Sequence, residues 1–141
     1  MISLLAGIDS TASALDAERI RMDVVSQNIA NVNTTKGLDG KPYQRQEVVF
    51  ESVLRAQQGA GQTGAQAVQI AHIMKDTRPP RMVYEPGNPD ANDKGMVAMP
   101  DINIPDEMVD MISSSRAYEA NLAVVKNAHA LAMQALSIGK H

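Results

Sequence analysis

Two histidines and one aspartate are the obvious material for a metal or acid/base site. His72, Asp76 and His129 lie in separate segments, and none has the His-x-x-x-His or Glu-His pairing typical of a helical metal site. His129 also falls on the apolar stripe of a predicted helix, where a polar residue more often sets register than binds a ligand. We therefore assign no metal ion, no cofactor and no small-molecule substrate to this chain.

An acidic turn is a second candidate, because Asp90, Asn92, Gly95 and Asp101 are spaced somewhat like the ligands of a calcium loop. However, Lys94 stands where an oxygen ligand belongs, and Asp101 replaces the usual bidentate glutamate. The alternative is a turn whose Asp and Asn side chains accept hydrogen bonds from nearby backbone amides. The spacing favours this second interpretation.

A run of three serines, Ser113–Ser115, offers hydroxyl groups as nucleophiles. It lacks the Gly-x-Ser-x-Gly elbow, and no base is identifiable beside it. The chain has no cysteine, which removes thiol nucleophiles, disulfides and thiolate metal sites. The residues therefore indicate a protein that is not an enzyme.

Length and charge narrow the class of protein further. The chain has 141 residues, which suits one domain, and a formal net charge of -3, which gives no general attraction to nucleic acid. No apolar run reaches the roughly 20 residues that a bilayer span requires. The N-terminal region carries Asp9 and Asp16 where a signal peptide would be basic and then apolar. We expect a soluble protein that does not use the general secretory route.

Two long helices are predicted to position whatever the chain presents. The first ends near Val32, and the second runs from Pro105 to Ile138, a length of about 50 Å. Each carries an apolar stripe at alternating three- and four-residue steps, so the stripe lies on one helical face. The stripes are Leu5, Ile8, Ala12, Leu15, Arg19, Met22, Ser26, Ile29, and Met108, Met111, Ser115, Tyr118, Leu122, Val125, His129, Ala132, Leu136. Such narrow stripes need each other, or a neighbouring molecule, for burial.

The middle of the chain differs from both ends. The segments Tyr43–Phe50, Val68–Met74 and Arg81–Tyr84 are short and contain β-favouring residues, which predicts a small β-rich insert. Residues 57–66 are mostly Gln, Gly and Ala, and we expect them to form a mobile loop. Repeated prolines between Pro79 and Pro100 force turns through the last third of the insert.

Amide side chains cluster where the first helix ends. Gln27, Asn28, Asn31 and Asn33 either cap the helix locally or bridge to another subunit, and spacing alone favours capping.

Four motifs carry a resemblance to a known family. Ser26–Gly37 resembles the Asn-rich signature near the N-terminus of flagellar rod, hook and hook-associated proteins. Pro42–Phe50, Val83–Ala91 and Glu107–Asn121 are similar to segments of the short proximal-rod subunits. The motifs occur in the family's order and cover essentially the whole chain. The sequence therefore resembles the flagellar basal-body rod protein family.

This resemblance implies a fold and a function. Val32 stands where Ala is common, Asn88 where His is common and Met96 where Tyr is common, and none of these differences removes a required group. The family fold is mainly α, with long N- and C-terminal helices pairing as a coiled-coil-like domain and a small irregular β-rich central insert. The expected divisions are residues 1–37 with 105–141, and residues 38–104.

The implied protein is a structural subunit of the proximal rod, which transmits torque in the bacterial flagellum. The resemblance also implies export by the flagellar type III apparatus after synthesis in the cytoplasm, and assembly in the periplasmic space. Its partners would be copies of itself, other rod subunits and the membrane-ring and export-gate base of the basal body. Another short rod subunit and a helical export chaperone or adaptor remain alternatives, and a rod-associated wall hydrolase would need a carboxylate pair that we do not see.

Assembly would then be a problem of helix packing. We expect the apolar residues Leu5, Ile8, Leu15, Met22 and Ile29 to pack against Met108, Met111, Tyr118, Leu122, Val125 and Leu136, within or between subunits. Buried polar pairs fix register more than they add affinity, which suggests candidates for inter-subunit contacts. These candidates are Asn28, Asn31, Arg116, Glu119 and Asn121.

Overall fold

The chain forms one long helix, then two small β-hairpins, then a second long helix. The structure, a computed structural model, describes residues 2–54 and 66–138, with side chains for 7–51 and 72–138. The elements are α1 (Ile2–Ala30), β1 (Gln46–Leu54), β2 (Gln66–Lys75), β3 (Arg81–Tyr84), β4 (Met96–Met99) and α2 (Ile104–Ile138). The predicted fold class is therefore confirmed: a helix pair with a small antiparallel insert. In the described part of the chain, no helix is long and apolar enough to cross a membrane.

The ends of the helices follow from local polar groups. α1 stops at Ala30, two residues before the predicted end, and the Asn31 amide donates to the Gln27 carbonyl oxygen at 2.8 Å. Before α2, Asn103 donates to Asp106 at 2.7 Å and its carbonyl accepts the Glu107 backbone amide at 3.1 Å. The Asn31 bond satisfies a backbone carbonyl that the end of α1 leaves open, and the Asn103–Asp106 bond fixes the residue that precedes α2.

The two helices pack against each other, with the end of α1 beside the start of α2. They therefore run antiparallel. The buried positions on α1 are Ala17, Val24, Val25 and Asn28, whereas Ala12, Arg19 and Ser26 of the predicted stripe are exposed. α1 also contacts β1 and β2, so its buried surface is centred between two partners rather than on one. Packing against the β1–β2 hairpin as well as against α2 explains why the buried face of α1 is displaced by about one residue from the predicted stripe.

On α2 the predicted stripe is largely turned inward. Met111, Ser115, Tyr118, Leu122, Val125 and Ala132 are half-buried, and Ser114 beside them is fully buried. The Ser114 hydroxyl donates to the Asp110 carbonyl oxygen at 2.8 Å, so this small side chain lets the helices approach without an unsatisfied polar group. Met108, His129 and Leu136 are exposed.

The insert contains two antiparallel hairpins. β1 pairs with β2 from Gln46 opposite Lys75 to Leu54 opposite Gln66, and a bulge after Val49 leaves Ala71 without a partner. β3 pairs with β4 from Arg81 opposite Met99 to Tyr84 opposite Met96. Residues 57–65 of the expected mobile loop lie outside the described residues, and residue 66 begins β2.

β4 was not predicted, because Gly95 and Pro100 enclose only four residues and the segment was interpreted as turns. Its strand conformation depends on pairing with β3, which burial makes favourable: Val97 is fully buried and Met99 nearly so. Gly95 permits the turn into β4 with φ of 71°, and an added Cβ would lie 2.9 Å from Tyr84 Cε2.

Candidate functional site

A group of polar side chains, buried at its centre, joins both helices to the insert. It consists of Asn28, Tyr43, Arg45, Glu107 and Asp110, and we call it the polar cluster. Asn28 is 0% exposed and Glu107 is 1% exposed, so their bonds form away from water. Because a buried polar group without a partner costs stability, this cluster has to be complete.

Asn28 uses its whole amide inside the chain. Its Nδ2 donates to the Gln46 carbonyl oxygen and to Glu107 Oε2, both at 2.9 Å. Its Oδ1 accepts the Gln46 backbone amide at 2.9 Å and the Tyr43 hydroxyl at 3.0 Å. An amide side chain offers two donor hydrogens and one oxygen with two lone pairs, so every position is occupied. Asn28 thus attaches the first residue of β1 to the end of α1.

Glu107 is held on both carboxylate oxygens. Arg45 Nε donates to Oε1 at 2.6 Å, while Asn28 donates to Oε2. Removing either donor would leave a buried negative charge without its compensation, which is strongly destabilising. The pair Arg45 and Glu107 therefore fixes the start of α2 against the segment that leads into β1.

Asp110 lies one turn further along α2 and also contacts α1 and the segment that leads into β1. Arg21 Nη2 of α1 donates to its Oδ1 at 3.1 Å, and Arg45 Nη2 lies 3.8 Å from its Oδ2. The Asp110 side chain is 38% exposed, so water weakens these ion pairs relative to the buried ones.

The pKa values of Tyr43 and Arg45 keep each of these side chains in one charge state. Burial, and then the Glu107 charge, raise the pKa of Tyr43 above its ordinary value. Burial alone would lower the pKa of Arg45, but the hydrogen bond and charge of Glu107, with the charges of Glu47 and Asp110, raise it overall. Tyr43 therefore stays neutral and Arg45 stays charged near neutral pH, as suits a structural connection better than proton transfer.

The other polar candidates separate into two groups. Asn31 caps α1, since it bonds Gln27 and accepts the Thr34 hydroxyl at 3.1 Å, as capping chemistry favoured. Arg116 and Glu119 are exposed and Asn121 is half-exposed, without an ion pair or side-chain hydrogen bond among the described side chains. These three stay available to a neighbouring molecule, whereas Asn28, with no exposed surface, does not.

The apolar candidates are also divided between the inside and the surface. The side chain of Leu5 lies outside those described. Half-buried positions are Ile8, Leu15, Met22, Ile29, Met111, Tyr118, Leu122 and Val125, and exposed positions are Met108 and Leu136.

The residues weighed for catalysis or metal binding do not come together. His72 of β2 and His129 of α2 belong to elements that make no contact, and Asp76 accepts the Arg78 guanidinium at 2.7 Å. Across residues 2–54 and 66–138, no group of His, Asp and Glu is arranged to hold a metal ion. In the acidic turn, Asn92 Oδ1 accepts the backbone amides of Lys94 and Met96 at 2.9 and 3.0 Å. That is the hydrogen-bonded turn which the spacing favoured.

Sequence reasoning missed Tyr43, Arg45, Glu107 and Asp110 as a site. Before the structure, Glu107 stood out only as the first residue of the motif Glu107–Asn121. Its partners lie 62 and 79 residues away in the chain, at Arg45 and Asn28, so no local pattern links them. The available signal was that three of the motifs quoted above each contain at least one cluster residue.

The arrangement is that of a protein built for helix packing: two long antiparallel helices are joined at one end to a β insert by the polar cluster. Two family models match its ends, the flagella basal body rod protein over residues 8–37 and the flagellar basal body rod FlgEFG protein C-terminal over residues 93–138.

Curated relatives cover nearly the whole chain. A flagellar basal-body rod protein FlgC from Yersinia enterocolitica is 41% identical over 99% of this chain and 100% of its own length. Those from Bacillus subtilis, 40% identical over 94% and 96%, and Borreliella burgdorferi, 39% identical over 97% and 98%, are similar to the same extent. The chain belongs to the flagellar basal-body rod protein FlgC family.

Proposed function

We propose that this chain is a structural subunit of the proximal rod of the bacterial flagellar basal body, and that it assembles by helix packing. The observation that carries the proposal is similarity at 41% identity along the full length of a rod protein. Similarity that extends over both helices and the insert supports a shared role for the complete subunit, rather than for one borrowed segment.

Exposed apolar side chains on α2 support assembly through the helices. Val124, Leu131 and Ile138 recur at seven-residue steps and are 54%, 60% and 70% exposed in the single chain. This spacing is that of one position of a coiled-coil seam, and α1 covers a different face of α2. Apolar surface of this kind is typical of a protein interface. Helices of neighbouring subunits are the occupants we propose.

The polar cluster has a different part in this function. Because Asn28 and Glu107 are saturated by partners in the same chain, they set the angle between the helix pair and the insert. A rod that transmits torque needs subunits of one shape, and a buried network that accepts only one arrangement supplies it. Arg116, Glu119 and Asn121 are our remaining candidates for polar contacts between subunits.

The finer parts of the proposal concern place and partners. We infer that the chain is made in the cytoplasm, exported by the flagellar type III apparatus and assembled in the periplasmic space. Its partners would be copies of itself, other rod subunits and the membrane-ring and export-gate base. We also propose that the chain divides into domains at residues 37/38 and 104/105, and that it has no catalytic activity.

The test uses a strain that lacks the gene and carries variants of it. Leu131 is 60% exposed, so Leu131→Asp places a charge on the α2 surface, and the subunit should fold but enter rods poorly. Gln134→Asp, also exposed on α2, is the matched control. Rods in isolated basal bodies are scored by electron microscopy, and swimming is scored in soft agar.

Each result is decisive. Loss of rods with Leu131→Asp, but not with Gln134→Asp, supports packing through this surface. Normal rods with both Leu131→Asp and Leu122→Asp would overturn the helix-packing mechanism. A gene-deletion strain that still builds complete rods would overturn the function itself.

A further inference from the structure

A leucine is presented to solvent by a tight turn that follows α1. Leu38 is fully exposed, more so than any other large hydrophobic residue in the described part of the chain. The turn is well bonded: Gly37 N–H donates to the Lys41 carbonyl oxygen at 2.7 Å, and Gly40 N–H to the Gly37 carbonyl oxygen at 3.0 Å. Gly40 has φ of 74°, which a side chain would disfavour. The fold therefore holds a complete apolar side chain in water, at a cost.

An apolar groove lies close to this turn, with a volume of about 290 Å³. Its walls include Pro42, Tyr43, Pro80 and Pro100. Arg78 stands on the rim and pairs with Asp76 at 2.6 Å and with Asp101 at 3.0 Å, so both rim carboxylates are already neutralised.

One rim cation stays available. Lys41 borders the groove and has no ion pair among the described side chains. The groove is thus suited to one apolar side chain with an acidic neighbour. The sequence Leu38-Asp39 has this composition. Asp39 is exposed, and its Oδ1 accepts the Lys41 backbone amide of the same turn at 3.1 Å, so Oδ2 is the oxygen that can face a cation of another copy.

We propose that the Leu38 turn of one copy of this chain docks into the groove of an adjacent copy, with Asp39 facing Lys41 of that copy. This inference rests on the proposed function, because assembly brings copies together at high local concentration. Apolar fit and charge complementarity both favour a second copy of the chain as the occupant.

The positions of the Leu38 turn and of the groove determine which subunits would be in contact. Leu38 lies only a few residues from Lys41 and Pro42, so turn and groove are at the same level of the subunit. When all copies point in one direction, such a contact joins subunits that stand side by side. It is heterologous, because turn and groove are different surfaces, and it can therefore repeat around a rod.

The absence of native cysteine makes a direct test possible. Full-length Leu38→Cys is expressed together with full-length Pro80→Cys, and basal bodies are isolated and oxidised. We expect a disulfide between two copies. Leu38→Cys with Gly87→Cys is the matched control, because Gly87 is exposed, has open space beside it and does not border the groove.

A second variant separates this contact from folding and from the proposed function. Leu38→Ser should leave the thermal unfolding of the monomer unchanged, since Leu38 is fully exposed there, and should reduce incorporation into rods about 10- to 100-fold in a mixed expression experiment. Wild-type chain found in rods, with no Leu38–Pro80 disulfide and normal incorporation of Leu38→Ser, would overturn this inference alone. A disulfide from Leu38→Cys to a different protein would also overturn it, whereas wild-type chain absent from rods would overturn the proposed function.

Discussion

The substitution Asn28→Ala tests the polar cluster most directly. It removes four hydrogen bonds and leaves four partner groups: the backbone amide and carbonyl of Gln46, the Tyr43 hydroxyl and Glu107 Oε2. Gln46 and Tyr43 are half-buried, so water replaces part of what they lose. Glu107 is 1% exposed, so its oxygen loses a partner that water cannot easily supply.

The expected cost can be worked from these environments. A hydrogen bond between neutral groups contributes about 0.5–1.5 kcal/mol, and one to a charged group about 1.5–3 kcal/mol. Asn28→Ala removes three hydrogen bonds between neutral groups and one to the charged Glu107, and the structure around the lost bonds relaxes in part. We therefore expect it to lower the free energy of unfolding by about 3–5 kcal/mol. Domains of this size are stable by only about 5–15 kcal/mol, so the loss would be large.

The measurement is urea unfolding of the full-length monomer, followed by far-ultraviolet circular dichroism. Asn121→Ala is the matched control, because Asn121 lies on α2 without a side-chain partner among the described residues. Its unfolding free energy should change by less than about 0.7 kcal/mol. A change of the same small size for Asn28→Ala would refute the argument that the cluster must be complete.

The isosteric change Asn28→Asp gives a second result for the same prediction. It keeps the shape but places two carboxylates about 3 Å apart, where the structure has a donor and an acceptor at 2.9 Å. The shared proton raises the folded pKa of this pair above its unfolded value, so the variant should gain stability relative to wild type as the pH falls from 7 towards about 5. A variant equally destabilised across that range would contradict this pairing.

Three further predictions follow from other parts of the fold. Gly95→Ala should cost about 1–2 kcal/mol in urea unfolding because of its positive φ, whereas Gly87→Ala should cost nothing, and equal effects would contradict the turn geometry. The Lys36 ammonium and then the Thr35 hydroxyl lower the pKa of Asp90, so its ionised form stabilises the fold above about pH 4 and this contribution is lost as the pH falls through the lower, folded pKa. An acid unfolding curve shifted for Asp90→Asn, but not for Asp93→Asn, would be the evidence. In hydrogen exchange, residues 24–30 and 104–114 should be the most protected in the free monomer, while 119–138 should gain further protection in basal bodies, and the absence of such a gain would contradict assembly through α2.

The helices could be predicted from sequence because their signals are local. Proline at the start of α2, amides at the end of α1 and three- and four-residue spacing each act within one or two turns. The burial of α1 could not be predicted as well, because it depends on where β1 and β2 pack against it. Periodicity identifies an apolar face, but not which of two neighbours covers it.

The candidate site was largely beyond prediction for a related reason. Asn28 was selected for its polarity at a helix end and assigned to a contact between subunits, but the structure satisfies it within the chain. Tyr43, Arg45 and Glu107 become a site only when three separate segments meet. β4 was missed in the same way, since four residues form a strand only because β3 lies beside them.

The separation of Asn28 and Glu107 along the chain also sets an order of events during synthesis. The ribosome adds the 79 positions from one residue to the other at about 5–20 residues per second, which takes roughly 4–16 s. For all of that time the α1 amide has no Glu107 carboxylate to bind, whatever the first helix and the first hairpin do. The connection between the helix pair and the insert is therefore complete only after Glu107 has been added, late in the synthesis of the chain.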